Sequence, residues 1–292
     1  MSQLDLSWDV VDEWWPRYTS GLTGELIELH DVLRELNEQW EASACPFDVD
    51  PLTINWTTDI PQSGPLRTNQ EENWSRWLAQ LIRDSKGAFT TAVFDTEFDP
   101  QALQVQCEKA FQDEQVHDRR VDIIAQSANR GVTVEVKIED EHYEKTGEAA
   151  YLAEKNDPRD RTWAHYLLLP KRKNNELQGS FGDRVRETGS QIRIDPMNPE
   201  ERHVAVLYWS DVARAIRHAI LIDAEPSDHW CASGYLFTTL IEQRIMDCYP
   251  LSTIERVQTE RVGISDVTRL QAIDPADQLA HLKTIHKEVQ HG

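Results

Sequence analysis

The chain has 292 residues, a formal net charge of −21 and 39% hydrophobic residues, which is enough apolar content for one large domain or a core domain with additions. No run of about 18 apolar residues occurs, which argues against a membrane span. The acidic start MSQLDLSWDVVDEWW lacks the basic residues and apolar run of a secretory signal.

Cys45, Cys107, Cys231 and Cys248 are widely separated and form no CxxC pair, so the expectation is a reduced, cytoplasmic protein with thiols as small core residues. The negative charge speaks against a polyanionic partner, but it is uneven. Residues 1–60 hold thirteen acids against Arg17 and Arg34, a net of −11, whereas residues 155–195 hold nine bases against six acids, a net of +3. A local basic surface on an acidic protein stays compatible with nucleic acid. Many acids and few lysines also suit a high-salt cytoplasm.

In chain order, residues 7–43 show helical apolar spacing at Leu22, Leu26, Leu29, Leu33 and Leu36, interrupted near Pro16 and Gly21. Residues 44–68, rich in Pro, Thr and Asp, read as a connecting segment. The next helix carries the stripe Trp74, Trp77, Leu78, Leu81 and Ile82. A short strand is expected over 103–108, then the hairpin RRVDIIAQSANRGVTVEV, a mainly helical stretch over 141–157, and a buried strand, WAHYLLLPKRK, leaving into a basic loop. Another strand and helix follow over 203–222, and an apolar-faced helix over 235–249. The last forty residues are polar and partly helical, an expected interaction arm. Trp14, Trp15, Trp74, Trp77, Trp163 and Trp209 fit core positions. His281, His286 and His291 read as surface residues rather than ligands.

The hairpin carries the chemistry. A two-residue turn at Ala128-Asn129 makes facing residues sum to 257, which sets Asp122 opposite Glu135. Side chains alternate along a strand, so Val121, Ile123, Ala125, Val132, Val134, Val136 and Ile138 share an apolar face. Asp122, Glu135 and Lys137 share the other. Two carboxylates with Cβ atoms roughly 5 Å apart destabilise the pair unless a cation sits with them. Such oxygen ligands suit Mg²⁺ or Mn²⁺. Lys137, two residues along, is placed to hold or activate a water, or to stabilise developing charge.

Asp122, twelve intervening residues and then Glu135-Val136-Lys137 resemble the PD-(D/E)xK nuclease superfamily, with Val121 where the name's proline would stand. The expected order of helix, three strands, helix and strand is similar to that superfamily's over roughly residues 66–173. The resemblance implies an α/β protein with a restriction-endonuclease-like core, a mixed central sheet flanked by helices. The expected divisions are an acidic, mostly helical extension and linker over 1–65, the core with a following strand-helix unit over 66–222, and a helical region over 223–292. It also implies Mg²⁺- or Mn²⁺-dependent hydrolysis of phosphodiesters, DNA favoured, in a restriction, antiviral defence or DNA-processing context. Asp122, Glu135 and the Val136 carbonyl would hold the metal, and Lys137 would position the attacking water.

The superfamily's helix acid points inward, which favours Glu71 over Glu72; Thr68-Asn69-Gln70-Glu71 also fits a capping box. Lys145, past the second strand of the hairpin, and Lys171, Arg172 and Lys173, at the strand exit, are candidate phosphate contacts, as is Arg120. Glu148 is a further candidate facing the site. A homodimer or a partner protein is expected, with no membrane association. The rival expectation is a non-catalytic scaffold that keeps the nuclease fold and acts through protein partners.

Overall fold

The computed structural model describes residues 8–56, 70–111, 119–140, 142–189, 191–225, 227–259 and 275–291, with side chains of 8–23, 256–259 and 291 left out. Trp14, Trp15, Thr68, Asn69 and His291 therefore lie outside the described side chains.

The protein is α/β, built on a seven-stranded mixed sheet flanked by helices. The strands are β1 (Gln104–Phe111), β2 (Arg119–Gln126), β3 (Arg130–Val136), β4 (Thr162–Leu169), β5 (Val185–Thr188), β6 (Gln191–Ile194) and β7 (Val204–Tyr208). Their order is β1-β2-β3-β4-β7-β6-β5. The β3-β4 and β4-β7 pairs are parallel and the rest antiparallel. Parallel strands are covered on both faces and read as near-continuous apolar runs, as in Tyr166–Leu169 and Val204–Leu207. At the start of β3, a Cβ on Gly131 would meet the Trp163 ring at 2.6 Å, so only glycine admits this approach.

One face of the sheet packs on α2 (Glu71–Asp84), α3 (Ala88–Phe94), α6 (Trp209–Leu221) and α7 (Asp228–Leu240). Ile123, Ala125, Val132, Val134, Val136 and Leu168 supply the sheet side of this core, and Trp74, Leu78 and Ile82 supply the α2 stripe. The other face packs on α4 (Thr146–Lys155) and α5 (Asn174–Phe181). A further cluster joins α1 (Trp8–Glu41), α8 (Leu251–Thr259) and α9 (Pro275–His291) through Leu29, Leu33, Leu36, Ile254, Leu282 and Ile285. Among the described residues no helix is long and apolar enough to cross a membrane.

The two-residue turn holds: Ile123 faces Val134 and Gln126 faces Gly131. The order helix, three strands, helix, strand is present as α2, β1, β2, β3, α4 and β4, with α3 inserted after α2.

Several expectations are corrected. α1 runs through Pro16 and Gly21 without a break. Proline removes one intrahelical donor, and the buried leucines further along hold the helix in place. Val121 does not join the Ile123 face but packs with Phe111, Ile124, Leu152 and Ala153 on the α4 side. The change of side coincides with Glu108 of β1, whose φ of +56° interrupts the pleat. Trp74 and Trp209 are core, whereas Trp77 and Trp163 are only partly buried. His281 is not a surface residue: it is buried, with Nε2 3.0 Å from Glu242. α3, α5, β5 and β6 were not foreseen.

Candidate metal-dependent active site

The hairpin of β2 and β3 and the turn after it open onto a cleft of about 1070 Å³, which Glu71, Asp122, Glu135, Lys137 and Lys145 line. The β2–β3 ladder ends at Ile123–Val134, one residue short of Asp122 and Glu135, whose charges act on each other. Asp122 Oδ2 also accepts the Val136 amide at 2.8 Å, so the carboxylate is bonded to the strand that carries its partners. Lys137 is fixed at both ends of its backbone unit. Its amide donates to Leu168 O at 2.8 Å, and its carbonyl accepts Trp209 Nε1 at 3.0 Å. Its ammonium lies between Glu135 Oε1 at 3.2 Å and Asp140 Oδ2 at 3.1 Å.

The electrostatics follow from crowding carboxylates in a half-buried place. Burial pushes Asp122 up to about 6, against the Val136 amide and Lys137; Glu108 adds to the rise. Burial and then the Asp122 charge push Glu135 up to about 7, against the pull of Lys137. Burial alone would lower Lys137, but Glu135 and Asp140 outweigh it and hold the ammonium above its ordinary range. Lys137 therefore stays charged, and each of the two carboxylates resists ionisation more than a free one does.

Glu71 lines the cleft with the hairpin acids, as the inward-pointing expectation had it, and its bonds there are to backbone amides. Gln70 is the N-cap of α2 and makes no side-chain cap bond, while Thr68, the cap of the expected capping box, lies outside the described residues. Glu71 Oε1 accepts three successive amides, Ile138 at 2.6 Å, Glu139 at 3.1 Å and Asp140 at 3.3 Å. Consecutive amides converging on one oxygen form an anion-holding nest. Glu71 is thus a positioning residue that fixes the turn leaving β3. Glu72 points outward and reaches Arg76 at 3.9 Å and Arg120 at 3.8 Å.

The expected basic contacts separate. Lys145 is exposed and lines the cleft. Arg120 also lines it, but its Nε lies 2.8 Å from Glu108 Oε2. Glu148 is held by Arg119 at 2.7 Å. Lys173 is corrected as a phosphate contact. It is buried, and Nζ donates to the Glu139 carbonyl at 2.8 Å and lies 3.3 Å from Glu176. A lysine whose ammonium is consumed by loop carbonyls has none left for a ligand. Arg172 donates to the Ile245 carbonyl and reaches Glu139 at 3.2 Å, while Lys171 is exposed on a neighbouring cleft beside Arg172 and Tyr208.

Three site residues were missed. Asp140 completes the clamp on Lys137 and Arg244 lines the cleft. Glu108 faces Asp122 by the β1–β2 register, between the pairs Cys107–Ile123 and Lys109–Val121. Both its carboxylate oxygens are buried and lack an aligned hydrogen bond, since Arg120 approaches off the bonding direction. Only Asp140 had a signal in the sequence, three residues after Lys137.

Among the described residues no three His, Cys, Asp or Glu side chains converge as a metal cage. Asp122 and Glu135 form a two-carboxylate set, which fits an ion that keeps most of its waters, as Mg²⁺ does. No family model, no curated protein and no solved structure matches the chain.

Proposed function

We propose that the protein is a Mg²⁺- or Mn²⁺-dependent nuclease that hydrolyses phosphodiester bonds, acting on DNA by preference, with the fold arrangement of the PD-(D/E)xK superfamily. The observation that carries this reading is the convergence of Asp122, Glu135 and Lys137 on one open cleft at the end of the β2–β3 hairpin. A structural hairpin gains nothing from two half-buried carboxylates side by side, because like charges in that position are destabilising.

Asp122 and Glu135 would hold the ion with the Val136 carbonyl. A bound divalent ion supplies a water of lowered pKa and neutralises charge developing on the phosphoryl group. The chain's own residues do the rest. Lys137, protonated and fixed between two carboxylates, acts as a donor that orients a water or stabilises a phosphoryl oxygen. Its raised proton affinity, set by Glu135 and Asp140, suits a charged donor rather than a general base. Glu71 holds the turn from Ile138 to Asp140, and so keeps the Asp140 carboxylate on Lys137.

The acidic lining of the cleft favours one second reading, a scaffold that keeps the fold and works through protein partners. Incubation of the full chain with plasmid, single-stranded DNA and RNA in Mg²⁺ or Mn²⁺ separates the two. Cleavage abolished by EDTA supports the nuclease. Intact substrates of every kind, with no shift of melting temperature on adding metal, support the scaffold.

A further inference from the structure

α7 runs into a π-helical turn, Ile241–Ile245. Such turns recur at functional sites, since they expel one residue from the regular helical ladder. Almost every group of this turn is tied down. Ile241 and Ile245 are buried in the main core. Glu242 is fully buried and accepts Arg217 Nε and Nη2, both at 2.7 Å, with His281 Nε2 at 3.0 Å. Arg217 is held in turn by Asp50. Gln243 accepts the Trp56 amide at 2.9 Å and donates to the Ile54 carbonyl at 2.7 Å. The Ile245 carbonyl accepts Arg172, and the Glu242 carbonyl accepts the Cys248 amide at 2.8 Å.

Arg244 is the exception. Its side chain is exposed and lines the cleft that holds Asp122, Glu135 and Lys137. Among the described residues it has no carboxylate partner. The other cleft cations are committed, apart from Lys145: Arg119 to Glu148, Arg120 to Glu108, and Lys137 to Glu135 and Asp140. A guanidinium on a backbone fixed at every neighbouring position loses little further freedom when it binds. Its planar fork matches a phosphate bidentately.

We propose that Arg244 is a phosphate-binding residue, contacting the backbone of a nucleic acid that lies in the cleft. This rests on the nuclease reading of the same site. Seven carboxylates and five lysine or arginine residues line the cleft, so by formal charge acids outnumber cations by two around a bare polyanion. The two charges of a divalent ion restore the balance, and Arg244 supplies attraction that no acid of the protein has consumed. Binding of nucleic acid is therefore expected to require the ion.

The test is fluorescence anisotropy of a labelled single-stranded oligonucleotide with the full chain in Ca²⁺, which the same kind of oxygen ligands accept, across a series of NaCl concentrations. Arg244→Ala is expected to bind about tenfold more weakly, the size of one charge-assisted contact. The slope of log affinity against log salt should become shallower by about 0.7. Arg244→Lys should keep the wild-type slope with part of the affinity, and the melting temperature should not move. Wild-type binding with an unchanged affinity and slope in Arg244→Ala overturns the assignment of Arg244 and leaves the nuclease reading standing. No binding by the wild type overturns both.

Discussion

Asp122 Oδ2 accepts the amide of Val136 at 2.8 Å, so a carboxylate of one strand is bonded to the backbone between Glu135 and Lys137 on the next. This bond fixes the acid in place without neutralising it. The structure thus holds a charge where burial and its neighbours disfavour one, and the first expectation concerns the cost of doing so.

Asp122→Asn keeps an oxygen to accept the Val136 amide and removes the charge. Because the folded state raises the Asp122 pKa, its ionised form opposes folding at pH 8. The variant should therefore melt at the same temperature as wild type or higher in EDTA, and should lose any stabilisation by added Mg²⁺. Thermal melts with and without metal check both. A drop of many degrees in EDTA would mark Asp122 as a structural acid.

Glu71 separates positioning from chemistry. Glu71→Ala orphans three amides of the turn from Ile138 to Asp140. Losing the partner of these part-buried and exposed amides costs on the order of 1 kcal/mol, so the melting temperature should fall by a few degrees. Glu71→Gln retains the accepting oxygen and should recover most of that loss. Calorimetry on the two variants distinguishes the cases, and equal losses would contradict the nest.

His165 gives a pH signature. Burial holds its imidazole down at about 4, with Nδ1 2.8 Å from Thr133 Oγ1 and Nε2 3.8 Å from Glu154. The unfolded chain takes up a proton near pH 6.5 while the folded chain does not. Stability contributed by the neutral ring is thus fully present above about pH 6.5 and is lost as pH falls toward 4, to an extent of up to about 3 kcal/mol. Urea melts at pH 7.5 and 4.5 should show a smaller difference for His165→Asn than for wild type.

The buried Arg217 network is expected to be costly to break. Arg217, Asp50 and Glu242 have fully buried side chains, and they join the segment after α1, α6 and the π-helical turn. Arg217 is the guanidinium that faces both carboxylates, so removing it leaves two buried acids without that partner, with a cost of about 3–5 kcal/mol. Arg217→Ala should lower the unfolding midpoint in urea accordingly. It should also weaken nucleic-acid binding, because it loosens the turn that carries Arg244.

Much of the centre of the molecule was legible in the sequence. Alternating β-branched residues around Ala128-Asn129 fixed both the strands and their register, since a slip of one residue would turn Val132, Val134 and Val136 outward. The α2 stripe and the order of elements from α2 to β4, apart from the short α3, followed from the apolar pattern. The misses have physical reasons. Glu108 lies in a left-handed conformation that no local pattern announces. Glu71 binds amides 67 to 69 residues away, a contact that exists only once the sheet is assembled. Lys173 looked like one of three loop cations, yet the loop after β3 folds over it. Arg244 depends on a π-helical turn set by Arg217, Gln243 and Arg172, none of them near it in sequence except Gln243.

The most direct measurement is the rate of cleavage of end-labelled DNA in Mg²⁺ by the wild type and by Lys137→Ala, each shown to be folded by its melting curve. The expected result is metal-dependent cutting by the wild type and a loss of at least a hundredfold in the variant, the scale of one lost transition-state donor. Equal cutting by both proteins would contradict the placement of the active site at the hairpin. Absence of cutting by a folded wild type in both Mg²⁺ and Mn²⁺ would contradict the nuclease itself.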